Sequence, residues 1–162
     1  MTPTVPDEVV EFYNRGWEIG RLSRGLGRLE LERSLEIVKR YLPAPPATVY
    51  DIGGGPGAYS GRLASLGYDV YLVDVMPLHI DQAREQWASD AFPAERMVVG
   101  DARALDFDDE SADAVLLHGP LYHLTEHDDR LAAVREAARV LKPGGVALAF
   151  AIPSYASTLV GL

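Results

Sequence analysis

The 162-residue chain contains no cysteine. Disulfides and a thiol nucleophile are therefore excluded, and a structural zinc site is disfavoured. Lysine is scarce too, with Lys39 and Lys142 the only two among fifteen basic residues. The formal net charge is −9, whereas binding nucleic acid without sequence preference needs a clustered positive face. No apolar run approaches the ~18 residues of a membrane span. The opening MTPTVPDEVVEF has neither the basic start nor the apolar stretch of a signal peptide. Together these absences fit a cytoplasmic protein with no membrane and no nucleic-acid partner. What is present is a 48% apolar composition, enough for one domain with a packed core.

Pro6, Asp7 and Glu8 resemble a helix start, followed by Val9, Val10, Phe12, Tyr13 and Trp17 at amphipathic spacing. Gly25 and Gly27 interrupt, and a second helix is expected over 28–42, ended by Pro43, Pro45 and Pro46. Thereafter apolar runs at 48–52, 69–75, 96–99, 113–117 and 146–152 alternate with helical segments at 58–66, 78–89 and 128–141. Strand–helix alternation with apolar strands predicts an α/β fold, a doubly wound parallel sheet covered on both faces. Arg15, Arg21, Arg24, Arg28 and Arg33 crowd the N-terminal region. They form either a solvated face or a local anion site.

The most informative stretch is VYDIGGGPGAYS at 49–60. An apolar strand runs into Asp51-x-Gly53-x-Gly55-x-Gly57, and a helix begins at once. Glycines tolerate positive φ and let backbone N–H groups approach a ligand closely. Strand, glycine turn and helix N-terminus make a nucleotide-type site. A NAD-type turn can be drawn through the same residues as Gly53-x-Gly55-x-x-Ala58. A second strand, VYLVDVM, carries Asp74, whose carboxylate suits two ribose hydroxyls in either case.

Two further motifs decide between them. VVGDAR at 98–103 carries Asp101-Ala102 after the third strand, and VLKPGG at 140–145 precedes the fifth. With these, residues 47–152 strongly resemble the class I S-adenosylmethionine-dependent methyltransferases, and a NAD enzyme has no role for either motif. The resemblance implies a sheet with the order 3-2-1-4-5 and S-adenosyl-L-methionine as cofactor, leaving as S-adenosyl-L-homocysteine. It implies that Gly53, Gly55 and Gly57 approach the methionine moiety and that Asp51 reaches its ammonium group directly or through water. Asp74 would hold the ribose, Val75 and Met76 would pack on adenine, and Asp101 with Ala102 would read the adenine edge. Leu117 and His118 would line the methyl-donor end. Residues 1–46 would form a helical lid from which Tyr13, with Arg28 or Arg33, reaches the cofactor carboxylate.

The loop HGPLYHL at 118–124 leaves strand four where open α/β sheets place ligands. Tyr122 and His123 are its acceptor-side candidates, with His123 taken before His118 as the base that removes a proton from a hydroxyl or amine. The alternative is that they only shape the loop. His79 and His127 are read as structural or solvated. The implied function is methyl transfer to an O- or N-nucleophile of a small molecule. Its rivals are a tRNA or protein methyltransferase and a non-catalytic S-adenosylmethionine-binding module or partner subunit. Family members usually extend the sheet to seven strands, and only five are visible here. Residues 153–162 read as the start of a truncated C-terminal region, and strand five would be an open edge inviting a homodimer.

Overall fold

The computed structural model describes residues 18–152 together with Glu11 and Gly16. Five parallel strands form one sheet in the order β3-β2-β1-β4-β5: β1 Thr48–Ile52, β2 Asp69–Asp74, β3 Met97–Val99, β4 Ala112–Leu117 and β5 Leu141–Ala149. The helices are α1 Gly25–Tyr41, α2 Ala58–Ala64, α3 Pro77–Trp87, α4 Pro120–His123 and α5 His127–Val140, with 3₁₀ turns at Arg21–Ser23 and Ala94–Arg96. Among the described residues no helix is long and apolar enough to cross a membrane. The helix expected from Pro6 onward lies outside the described residues.

β1 is central and buried on both faces, which is why it reads as a continuous apolar run with one acid. Alternation along the strand sends Val49 and Asp51 to one face and Tyr50 and Ile52 to the other. The first face packs Val49, Val70, Leu72 and Leu116 under Leu31, Leu35 and Val38 of α1 and Leu63 of α2. The second packs Ile52, Val73, Val115 and Leu117 against Ala137 and Val140 of α5. Arg139 ties α5 to the segment after β3, donating to the carbonyls of Leu105 and Phe107 and to Asp109 and Glu136.

The boundaries differ from expectation in four places. α1 starts at Gly25, with Gly27 inside it. A Cβ at Gly27 would overlap the Arg21 carbonyl, so the glycine admits the preceding 3₁₀ turn rather than ending the helix. The LKPGG segment is not a turn before β5 but its irregular beginning. Leu141 already pairs with Ala112, and regular pairing resumes only at Ala114 with Val146. Gly144, at φ +81, lies inside that bulge, and Lys142 meets Asp113 at 2.7 Å. β5 then ends at Ala149 rather than 152. Finally, the loop after β4 contains the four-residue helix α4, with Pro120 in the first position that suits proline.

Candidate functional site

The glycine turn closes by backbone geometry. Gly53, Gly55 and Gly57 have φ of +75, +56 and +78, a region that L side chains rarely occupy. The Gly53 N–H donates to the Val73 carbonyl at 2.7 Å and the His118 N–H to the Ile52 carbonyl at 2.9 Å, so the turn is held between β2 and β4. A Cβ at Gly53 would overlap the His118 carbonyl oxygen. Gly57 has a different task from the one expected. It is buried, and its Cβ would stand 3.2 Å from Leu72 and 3.4 Å from Ala83 and Trp87. It seats α2 on β2 and α3 and does not reach the ligand side. Trp87 lies over Gly61 and donates from Nε1 to the Pro56 carbonyl at 3.1 Å, pinning the turn from outside.

A cavity of about 1210 Å³ opens at the C-terminal ends of β1 to β4. The structure brings Gly53, Gly55, Asp74, Val75, Met76, Asp101, Ala102, His118, Tyr122 and His123 together on its walls. Arg28 lines it as well, whereas Arg33 turns outward to Glu36. Leu117 does not line it, being buried among the apolar residues on the α5 side. Tyr13 lies outside the described residues.

Asp74 is 6% exposed and already well supplied with donors. Gly55 N–H reaches its Oδ2 at 2.9 Å, Met76 N–H its Oδ1 at 2.9 Å, and His79 Nδ1 the same Oδ1 at 3.0 Å. Asp101 is held by Arg103 through its backbone N–H at 2.8 Å, Nε at 3.0 Å and Nη2 at 2.7 Å. Arg103 continues to Asp129 of α5 at 2.7 Å. Both acids thus sit in fixed orientations, with spare lone pairs for a ligand.

His79 and Arg103 were missed as site residues. Their signal lay in short spacings: His79, in the first turn of α3, reaches back to Asp74 at the end of β2, and Arg103 reaches back to Asp101 within the turn after β3. Asp51 is corrected more sharply. It is fully buried and absent from the cavity wall. Its Oδ2 accepts from Ser60 Oγ at 2.6 Å, and its Oδ1 faces His118 Nδ1 at 2.9 Å. Alternation explains this, because Asp51 shares the face of Val49, the face that α2 covers.

The acceptor-side candidates Tyr122 and His123 adjoin one another, ring centroids 4.7 Å apart. Burial pushes the His123 imidazole down, outweighing the opposing pull of Asp74 and Glu18, so it is neutral at pH 7. Arg21, Glu18 and Glu30 also line the cavity; burial opposes the charge of Arg21, but Glu30 and Glu18 overcome it and raise its pKa. His127 begins α5 and is exposed.

The profile of a family described as methyltransferase domain matches residues 50–149, spanning the glycine turn, both acids and β5. The chain belongs to this family. Methyltransferase relatives include an uncharacterised protein of Mycobacterium tuberculosis, 37% identical over 110 residues, which cover 68% of this chain and 42% of that one. The malonyl-[acyl-carrier protein] O-methyltransferase of Methylococcus capsulatus is 34% identical over 119 residues, covering 72% and 41%. The chain thus spans well under half the length of these two relatives.

Among solved structures, a TehB-like S-adenosylmethionine-dependent methyltransferase of Corynebacterium glutamicum superposes with a TM-score of 0.68 at 22% identity, covering 88% of this chain and 72% of that one. An S-adenosylmethionine-dependent methyltransferase of Methanosarcina mazei reaches 0.59 at 30% identity, covering 68% and 54%. The five-stranded parallel sheet in the order 3-2-1-4-5 is that of the Rossmann-like methyltransferase fold, and the family's cofactor is S-adenosylmethionine. The NAD-dependent alternative is set aside. The cavity walls fit such a group on two counts. One is the side-chain-free cradle at Gly53–Gly55. The other is a buried imidazole nitrogen, His118 Nε2, with no hydrogen-bond partner among the described residues.

Proposed function

We propose that this chain binds S-adenosylmethionine in the cavity at the strand ends and transfers its methyl group to an O- or N-nucleophile of a small molecule. The observation that carries this reading is the convergence of the Gly53–Gly55 cradle with Asp74 and Asp101 on one cavity wall. When bound, the cofactor supplies an electrophilic methyl carbon on a sulfonium. Gly53 and Gly55 offer backbone to its methionine end and Asp74 accepts from the ribose hydroxyls. Val75 and Met76 pack on adenine, and Asp101 with the Ala102 N–H reads its edge. What remains for the protein is alignment and exclusion of water. His123, kept neutral by burial, takes the proton released from the acceptor, with Tyr122 beside it in the same helix.

The cavity's size supports a small acceptor bound alongside the cofactor, since ligand sites of a single drug-sized molecule run to about 300–1,000 Å³. The malonyl-[acyl-carrier protein] relative is named as an O-methyltransferase, which supports an oxygen nucleophile. Calorimetry tests the reading. S-adenosylmethionine and S-adenosylhomocysteine should bind and NAD should not, and the reverse result would overturn it. We also propose that the β5 edge pairs with a second copy of the chain, because its outer side meets no strand among the described residues. Light scattering should give a dimer mass, and a strictly monomeric mass across concentrations would end that idea.

A further inference from the structure

We infer that Arg130 of α5 is the positioning residue for the acceptor-side pair Tyr122 and His123, holding the C-terminal end of α4 in place beside the cavity. The inference rests on the function proposed above, in which His123 takes the acceptor's proton. Arg130 is not itself on the cavity wall.

α4 has only four residues, Pro120–His123. So short a helix is not stable alone, because nucleating a helix is unfavourable. Its position is therefore set by what it touches. At its start, the Gly119 carbonyl accepts from the N–H groups of Tyr122 and His123, both at 3.1 Å. Gly119, at φ +97, turns the chain from β4 into α4, and a Cβ there would stand 3.6 Å from both Tyr122 Oη and His123 Cδ2. The two side chains thus lie close to the end of β4, and both line the cavity.

The other end of α4 has a different anchor. Carbonyls at the end of a helix have no partner within it, and an arginine can supply one. Here Arg130 Nη1 donates to the Leu124 carbonyl at 2.8 Å and to the Thr125 carbonyl at 2.6 Å. Arg130 is half-buried and stands in the first turn of α5. Its neighbour Asp129 accepts from Arg103 Nη1 at 2.7 Å, and Arg103 grips Asp101 just after β3. The turn that carries Arg130 is thereby moored to the sheet side of the cavity, and Arg130 passes that fixed position on to α4. Leu121 of α4 shares an open groove with Leu131 and Val134 of α5. Val134 is exposed, so apolar packing alone holds α4 only weakly.

A base must be held to within hydrogen-bond reach of its proton, and a displacement of about 1 Å can slow a reaction a hundredfold. The environment of His123 depends on the same placement. Burial lowers the pKa of its imidazole, His79 adds to that effect, and Asp74 and Glu18 oppose it. The ring stays neutral only while α4 keeps it against the cavity wall. Arg130 is suited to this task because a hydrogen bond from a guanidinium is charge-assisted and stronger than a neutral one. Both its side-chain bonds go to the segment between α4 and α5, so its loss acts there first.

The test follows amide hydrogen exchange and the NMR titration of His123 in the native protein, in Arg130→Met and in Arg130→Lys. Met keeps most of the stem and removes the donors. Exchange at the Tyr122, His123 and Leu124 amides should quicken by about ten- to a hundredfold relative to β1, and the His123 titration should move up toward the ordinary histidine value. Lys, whose ammonium also donates to carbonyls, should recover most of both losses. A purely structural role would lower the urea midpoint and leave the His123 titration in place. That result, or α4 exchange that changes no more than exchange in β1, overturns the inference and leaves the proposed function intact. Failure of the native protein to bind S-adenosylhomocysteine in calorimetry overturns both. Should Arg130→Met not fold, the native guanidinium decides. Its Nη1 hydrogens should show slowed rotation and slowed exchange with water, and a freely rotating group rejects the assignment.

Discussion

Gly53→Ala should destabilise the protein by about 3–5 kcal/mol, the range of severe single substitutions. Two costs combine. The residue has φ +75, where an L side chain costs roughly 1–2 kcal/mol. Its Cβ would also overlap the His118 carbonyl oxygen and come within 2.6 Å of the Pro120 ring. The first obstacle is backbone and cannot turn aside, because the His118 N–H is bonded to Ile52 and the Gly53 N–H to Val73. Gly55→Ala separates the two terms. Gly55 has φ +56, but the nearest atom to its Cβ would be His79 Nδ1 at 4.0 Å, so only the conformational cost applies, about 1–2 kcal/mol. Urea denaturation of the two variants should give clearly different midpoints with similar slopes. Equal losses would mean that the turn relaxes away from β4 and that the close approach at Gly53 does not constrain it.

Asp74→Ala should weaken S-adenosylhomocysteine binding by about tenfold to a hundredfold, since the ribose hydroxyls lose their acceptor. The effect should exceed that of an ordinary surface acid because Asp74 also organises the cavity wall. Its carboxylate gathers Gly55, Met76 and His79, so removing it releases the glycine turn and the first turn of α3 together. Asp74→Asn is the sharper variant. It keeps the volume and one carbonyl oxygen, but its amide N–H₂ confronts a donor at Gly55 or at Met76, whichever way it turns. Asn should therefore bind almost as poorly as Ala. Calorimetry with S-adenosylhomocysteine and with adenosine reads the loss on both ligands. Undiminished affinity for adenosine would show that the ribose lies elsewhere.

The sheet was legible because parallel strands buried on both faces are apolar, and all five appear as short apolar runs. Their order came from the family resemblance, since alternation alone does not fix it. The helix start at Gly25 was hidden because glycine reads locally as a breaker, while Gly27 makes room for the Arg21 backbone of the preceding turn. The start of β5 was hidden for a similar reason. Pro143 and Gly144 punctuate the chain, yet the bulge carries them inside the strand pairing. Gly57 was grouped with the ligand-side glycines because the motif spaces them evenly. Its neighbours Leu72, Ala83 and Trp87 come from other elements, and no local pattern announces them.

Asp51 is the instructive case, because the information was present. In Val49-Tyr50-Asp51-Ile52 the alternation already turns Asp51 to the Val49 face, and Ser60 lies one short helix away. Its motif position suggested the ligand, while its strand parity pointed into the interior. His79 and Arg103, each a few residues beyond an acid already singled out, were passed over because a short spacing does not show that the chain folds back on the acid it has just passed.

Residue 118 is tied to the turn twice, by its carbonyl against Gly53 and by its ring to Asp51. Positions 51, 53, 60 and 118 therefore cannot drift independently. A change at one is tolerated only on a background already altered at another. Over evolutionary time these four sites should behave as a single inherited character, and effects measured on them one at a time will not add.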